Sequence, residues 1–251
     1  MKQKLSHNTQ IGVKIMRIGC CGFAKGKEQY FKTFEIVEVQ QTFYKIPSLE
    51  TLKKWRDIAP KDFEFTLKAW QVVTHPPNSP TYKRLGYRPE NCGFFRNNDI
   101  VFDAWKKTLE ASKILGADKI IFQCPASFKP TKENIENMRN FFKKIGRKNI
   151  FCIWEPRGSW DEKTVKKLCE ELDLIHCVDP FKNNQVHGEF QYFRLHGIGG
   201  YNYKYSKEEL EKLASICKKE CYVLFNNVYM YENAIEFRNI IREETKNEEK
   251  I

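Results

Sequence analysis

Seven short apolar runs of this chain end in residues able to do polar chemistry. Glu38 and Gln40 close one run, Lys68 the next, then Gln123, then Glu155 with Arg157. Asp179 follows a fifth run, Arg194 and His196 end a sixth, and Asn226 and Asn227 a seventh. Carboxylates and a histidine can exchange protons, and cationic side chains can hold an anion. Glu155 and His196 are therefore the candidates for proton transfer, with Glu38 and Asp179 as further catalytic carboxylates. Lys68, Arg157, Arg194, Gln123, Asn226 and Asn227 would bind a polar or anionic substrate. Glu38, Glu155, Asp179 and His196 could instead hold a divalent metal through carboxylate and imidazole ligands. The competing reading is a carboxylate cluster neutralised by Lys68, Arg157 and Arg194. A lone polar residue after a strand is commonly a cap or a surface ion pair, so the set carries the functional reading, not any single member.

These residues converge only if the fold gathers strand ends on one face. Strand and helix signals alternate along the chain. Strands are expected at 17–20, 36–40, 63–68, 119–123, 150–155, 175–178, 192–196 and 222–225. Between them come helices at 25–33, 49–58 behind Ser48, 100–115 ending near Gly116, 131–145 behind Thr131, 161–172, 206–217 behind Ser206, and 231–242. Glu64, Thr66 and Lys68 alternate strictly with Phe63, Phe65 and Leu67. Eight strands interleaved with helices in 251 residues predict a single-domain α/β fold, a closed parallel (β/α)8 barrel of TIM type. Its C-terminal strand ends meet at one mouth. Parity agrees: Glu38 and Gln40 share one strand face, as do Arg194 and His196. The expected organisation is a polar arm over residues 1–15, the barrel over 16–242 and a charged tail over 243–251. The long segment Pro76–Asn98 follows the third strand and should lie over the mouth as a lid or wall.

Composition narrows the classes. The chain is 41% hydrophobic and 30% charged, as in a globular protein. It has no apolar run of the ~20 residues a bilayer span needs. The stretch Met1–Lys14 is polar and lacks a signal core, so a cytoplasmic location and no membrane partner are expected. Nine cysteines occur without CxxC or zinc spacing and are expected as buried, reduced thiols. The net charge of +11 favours anionic partners, nucleic acid among them, or else reflects a lysine-rich solvated surface. No GxGxxG or GxxxxGK[ST] is present, so no nucleotide cofactor is indicated.

At the strand ends the sequence resembles the DUF72 family, also called YecE-like. The matching motifs are IGCCGF at Ile18–Phe23, VEVQQTFYKIPS at Val37–Ser48, and FTLKAW with TH between Phe65 and His75. FQCPASF at Phe122–Phe128, WEPRGSW at Trp154–Trp160, FRLHG at Phe193–Gly197 and FNN at Phe225–Asn227 complete an ordered set over about residues 16–242. The resemblance implies a TIM barrel and adds Thr42, Tyr44, His75 and Trp160 to the site-facing residues, the last three as substrate-binding. Cys21 stands where the family commonly has Ser, and Phe23 where Trp is common. VEVQQTFY replaces VEINSTFY, so Gln40 and Gln41 take the place of a smaller pair.

Three functions fit these residues. The first is an enzyme of hydrolase or isomerase type acting by acid–base chemistry on a small polar or anionic metabolite. The second is metal-dependent nucleic-acid processing. The third is a non-catalytic ligand-binding protein.

Overall fold

A computed structural model of the chain describes residues 15–147, 149–218 and 220–248. Residues 1–14 of the expected arm and 249–251 of the expected tail lie outside the described residues.

The elements run β1 (Met16–Cys21), α1 (Lys27–Thr33), β2 (Ile36–Val39), α2 (Gln41–Tyr44), α3 (Leu49–Ile58), β3 (Glu64–Lys68) and α4 (Gln71–Thr74). After a 3-10 turn at Pro80–Arg84 come α5 (Asp99–Leu115), β4 (Lys119–Gln123), α6 (Lys132–Lys144), β5 (Phe151–Glu155) and α7 (Glu162–Leu172). β6 (Ile175–Val178), β7 (Gln191–Leu195), α8 (Lys207–Ile216), β8 (Cys221–Phe225) and α9 (Met230–Glu248) complete the chain. The strands form a closed barrel in sequence order, and every pairing from β1·β2 round to β8·β1 is parallel. The expected single-domain TIM barrel is therefore the fold. The β6–β7 connection carries no helix.

Local chemistry sets the helix ends. The hydroxyls of Ser48 and Thr131 accept the backbone N–H of Thr51 and Asn134, both at 3.2 Å, which satisfies donors a helix start otherwise leaves orphaned. Ser206 and Glu209 form a reciprocal capping box. Asn98 caps α5, and Gly116, at φ +65°, closes it in the left-handed conformation that lacks a Cβ penalty only for glycine. α2 and α4 are single turns directly after β2 and β3 that the sequence pattern did not suggest. Gln40 consequently stands at the start of α2 rather than in the strand. α9 continues past Arg242 to Glu248.

The alternation of each strand separates two environments. Val37, Phe65, Phe122, Trp154, Phe193 and Val223 point outward and pack with the helices in the large core. Ile36, Ile121, Ile153, Ile175 and Leu224 fill the barrel axis. Cys21 and Cys177 join them, and other inward positions are polar. At the N-terminal end, Lys119 meets Glu64 at 2.8 Å and Asp118 at 2.9 Å, and lies over the rings of Phe151, Phe190 and Tyr222. In the middle, Thr66 and Tyr192 share a hydroxyl hydrogen bond of 3.0 Å. At the C-terminal end the inward positions hold the candidate site.

Segment 76–98 has two roles. Thr81 and Arg84 form part of the cleft wall at the mouth. Near its end it is anchored in the core: Phe95 is fully buried among Phe122, Phe128, Phe141 and Phe142. Gly93 crosses so close to the His75 backbone that a Cβ would lie 2.3 Å from its carbonyl carbon and oxygen, so only glycine fits this crossing. The segment is a wall anchored in the core rather than a detachable lid. All nine cysteines are buried. No helix among the described residues is long and apolar enough to cross a membrane.

Candidate functional site

Arg194, on β7, occupies the barrel axis with no solvent exposure. A buried guanidinium must be paired, and three other strands supply its partners. Nε lies 3.1 Å from both carboxylate oxygens of Glu38, Nη1 donates to Gln123 Oε1 at 3.0 Å, and Nη1 also binds Glu155 Oε2. Glu38 further accepts from Tyr192 at 3.0 Å and from the Gln40 amide. These contacts tie β2, β4, β5 and β7 together beneath the mouth.

Above this knot Glu155 Oε1 accepts from His196 Nε2 at 3.0 Å and from Arg157 at 3.2 Å. The Asn226 amide donates to His196 Nδ1 at 3.0 Å, which assigns the ring proton to Nε2. Burial alone would raise the Glu155 carboxyl, but Arg194, the His196 hydrogen bond and Arg157 override it and hold it well below the usual carboxylate range. Burial lowers His196, and the hydrogen bond to Glu155 offsets this only in part, so the ring is neutral at pH 7. Glu155 is thus a fixed anion that orients His196, not a proton acceptor matched to neutral pH.

Lys68 ends β3 with 4% of its surface exposed. Its Nζ donates to Gln123 Oε1 at 3.0 Å and sits 3.8 Å from the Phe43 ring centroid. Thr42 pins the adjoining backbone by donating to the Lys68 carbonyl at 2.7 Å. Both carboxylates near Lys68 are bound by Arg194. Burial, reinforced by Arg194 and only partly opposed by Glu38 and Glu155, brings the amine down to about 7.

These groups open onto a cleft of about 990 Å³. Lys68, Gln123, Glu155, Arg157, Asp179, His196 and Asn226 line it, together with Tyr44 and Trp160. Glu38 and Arg194 lie beneath it and do not reach its surface. Asp179 touches the cleft, but its oxygens accept the backbone N–H groups of Phe181 and His196, each at 3.1 Å. It therefore positions β7 and does not stand ready as a base. His75 is buried outside the cleft wall, bonded to Thr74 at 2.8 Å and set edge-on to Phe43, and burial pushes it down to about 3. Asn227 points away from its neighbour Asn226, with its amide tying the Tyr203 carbonyl to Asn233. Phe23 packs with Tyr30, Phe31 and Trp55, away from the mouth.

The expected metal set does not assemble. Glu38 and Glu155 lie on either side of Arg194, whose guanidinium occupies the place between them that a cation would take. Asp179 is committed to backbone donors. Among the described residues no three His, Cys, Asp or Glu side chains come together to hold a metal ion.

The cleft also has walls that the sequence did not mark. Arg84 stacks on Tyr44, 4.3 Å from the ring centroid, and Lys182 stands 3.9 Å from Asp179. Arg84 ends a single 3-10 turn and Lys182 lies in the β6–β7 connection, both too short or irregular for a period to show a side chain's direction; only their charge could have drawn notice.

Fold and site together define a parallel eight-stranded barrel with a charged cleft at the C-terminal mouth, where barrel enzymes place their sites. Residues 24–250 match the model of the family described as protein of unknown function DUF72, and the chain belongs to that family. UPF0759 protein YunF of Bacillus subtilis (strain 168) is 27% identical over 244 residues, 81% of this chain and 80% of that one. A DUF72 family protein from Enterococcus faecalis V583 superposes with TM-score 0.68 at 22% identity, covering 92% of this chain and 98% of the other. A xylose isomerase domain containing protein from Salmonella typhimurium LT2 superposes with TM-score 0.55 at 13% identity over 92% and 97% of the two chains. At these identities the structural likeness shows the fold alone.

Proposed function

We propose that this protein is an enzyme that binds a small anionic metabolite in the cleft and moves protons on it. The observation that carries this reading is the charge balance of the floor. Glu38 and Glu155 share Arg194, Glu155 also holds Arg157, and Asp179 is matched by Lys182 and backbone donors. With Lys68, Arg84 and Glu162 added, five cations (Lys68, Arg84, Arg157, Lys182, Arg194) stand against four anions (Glu38, Glu155, Glu162, Asp179) when Lys68 is protonated, a surplus of one. That surplus favours an anionic ligand, and the half-buried Arg157 and exposed Arg84 offer it planar donors. Lys68, brought down to about 7, changes protonation near neutral pH as a proton-moving group must, and His196 stands neutral beside it. Glu155 keeps His196 in one tautomer. This chemistry serves isomerisation or hydrolysis. Metal-dependent nucleic-acid processing finds less support, because its four expected ligands do not converge.

Thermal shift measures this reading. Inorganic phosphate and sugar phosphates should raise the melting temperature of the protein, and Arg157→Ala should lose most of that rise while folding normally. Equal shifts in both proteins, or none in either, would sink the reading.

A further inference from the structure

Lys68 differs from the other buried cation of the site, and from the paired cations around it, in how it is held. Arg194 has two carboxylates, Arg157 has Glu155, and Lys182 has Asp179. Among the described residues no carboxylate pairs with Lys68. One N–H is taken by Gln123 Oε1 and one side of Nζ is covered by the Phe43 ring, while the amine itself forms part of the cleft floor. Its stem is immobile: Thr42 fixes the backbone, and Lys68 is buried between the mouth and Arg194. A desolvated amine beside another cation is the arrangement that activates lysine as a nucleophile. Proton transfer alone would not need the nitrogen so fixed in direction. A bond-forming amine does.

We propose that Lys68 forms an imine with the carbonyl carbon of a small aldehyde or ketone that carries an anionic group. The inference rests on the anion-binding reading of the cleft and narrows its substrate class. The Nζ lone pair forms the N–C bond, and the carbonyl π pair moves to oxygen. The two amine protons end on that oxygen, which leaves as water when the C–O bond breaks and the N=C bond forms. No electron is gained or lost, so no oxidant or cofactor is required. The protons reach the oxygen directly or through water in the open cleft, while His196, with its ring nitrogens engaged by Glu155 and Asn226, stays neutral beside it. Arg157 and Arg84 would hold the anionic end. Gln123, which accepts from both Lys68 and Arg194, keeps the amine pointed at the carbonyl. The depressed amine basicity supports the same role, since an appreciable fraction is unprotonated at neutral pH.

Reductive trapping tests the inference. The full chain is incubated near neutral pH with pyruvate or with dihydroxyacetone phosphate, then with cyanoborohydride, and mapped by peptide mass spectrometry. The expected result is an adduct on Lys68 that forms at least about tenfold faster than on any surface lysine, with inorganic phosphate slowing it. Lys68→Arg should give no such adduct, and Lys68→Met serves if the arginine is not accommodated; circular dichroism establishes that the variant is folded. Adducts spread evenly over the surface lysines would overturn the proposal. If both probes raise the melting temperature but Lys68 remains unmodified, the imine is refuted while the anion-binding reading stands. If neither probe shifts the melting temperature and Lys68 is unmodified, both readings fall.

Discussion

Lys119 and Lys68 are both buried inside the barrel, one at each end, and their surroundings are opposite. Lys119 is held by Glu64 and Asp118 and lies over three aromatic rings. Burial by itself would lower its basicity, but Glu64 and Asp118 overcome this and raise it above the ordinary lysine value. Lys68 has an amide and one ring, with Arg194 as a cationic neighbour, and goes the other way. The same residue type in the same interior thus plugs the barrel floor at one end and stays reactive at the other. What differs is where the carboxylates went: at the N-terminal end they serve the lysine, at the mouth they serve the arginine.

The contrast makes measurable demands. The largest effect should come from Arg194→Met, which leaves Glu38 and Glu155 buried without their cation; urea denaturation should show a loss of about 3–5 kcal/mol. A loss below about 1 kcal/mol would mean that the two carboxylates do not depend on Arg194. Lys119→Met should cost less, about 2 kcal/mol, since Glu64 keeps partial access to water.

Lys68→Met should behave differently and depend on pH. The folded pKa of Lys68 lies below its unfolded value, so the unfolded chain binds more protons between the two. Stability therefore rises with pH across the window from about pH 7 to about pH 10. Below pH 7 the wild type bears the full penalty of a buried charge, and Lys68→Met should be the more stable protein. That advantage, on the order of 4 kcal/mol, should shrink as pH rises through the window. Paired denaturation curves at several pH values check it, and a constant difference would refute the assignment. The smallest effect belongs to the exposed pair Arg139–Glu171. Despite its 2.7 Å contact, a double-mutant cycle there should give roughly 0.2–1 kcal/mol.

Much of this architecture was readable in the sequence, and the places where it was not have physical causes. Alternation at 63–68 located β3 and separated its two faces. It did not say which face was inside, because the usual expectation sends polar residues to solvent. In a closed barrel wrapped by helices, Phe63, Phe65 and Leu67 meet the helices while Glu64, Thr66 and Lys68 line the axis. The mouth was legible because strand ends converge in any such barrel. The division of labour within it was not: Glu38 and Arg194 look like surface-of-site residues in sequence but lie one layer below. Asn226 and Asn227 are adjacent, and parity alone decides that only the first meets His196. Arg84 and Lys182 escaped because a single turn or a loop shows no period.

The Arg194 knot also has a consequence for the order in which the chain folds. Glu38 and Arg194 are separated by 156 positions, and the bond between them closes nearly the whole barrel. Contacts of that separation pay their loop-closure entropy before they return anything. The pair should therefore be absent from the folding transition state and form as the last strands dock. Weakening it would then leave the refolding rate almost unchanged and speed unfolding instead, so the same guanidinium that frees Lys68 for chemistry also sets how long the native barrel stays shut.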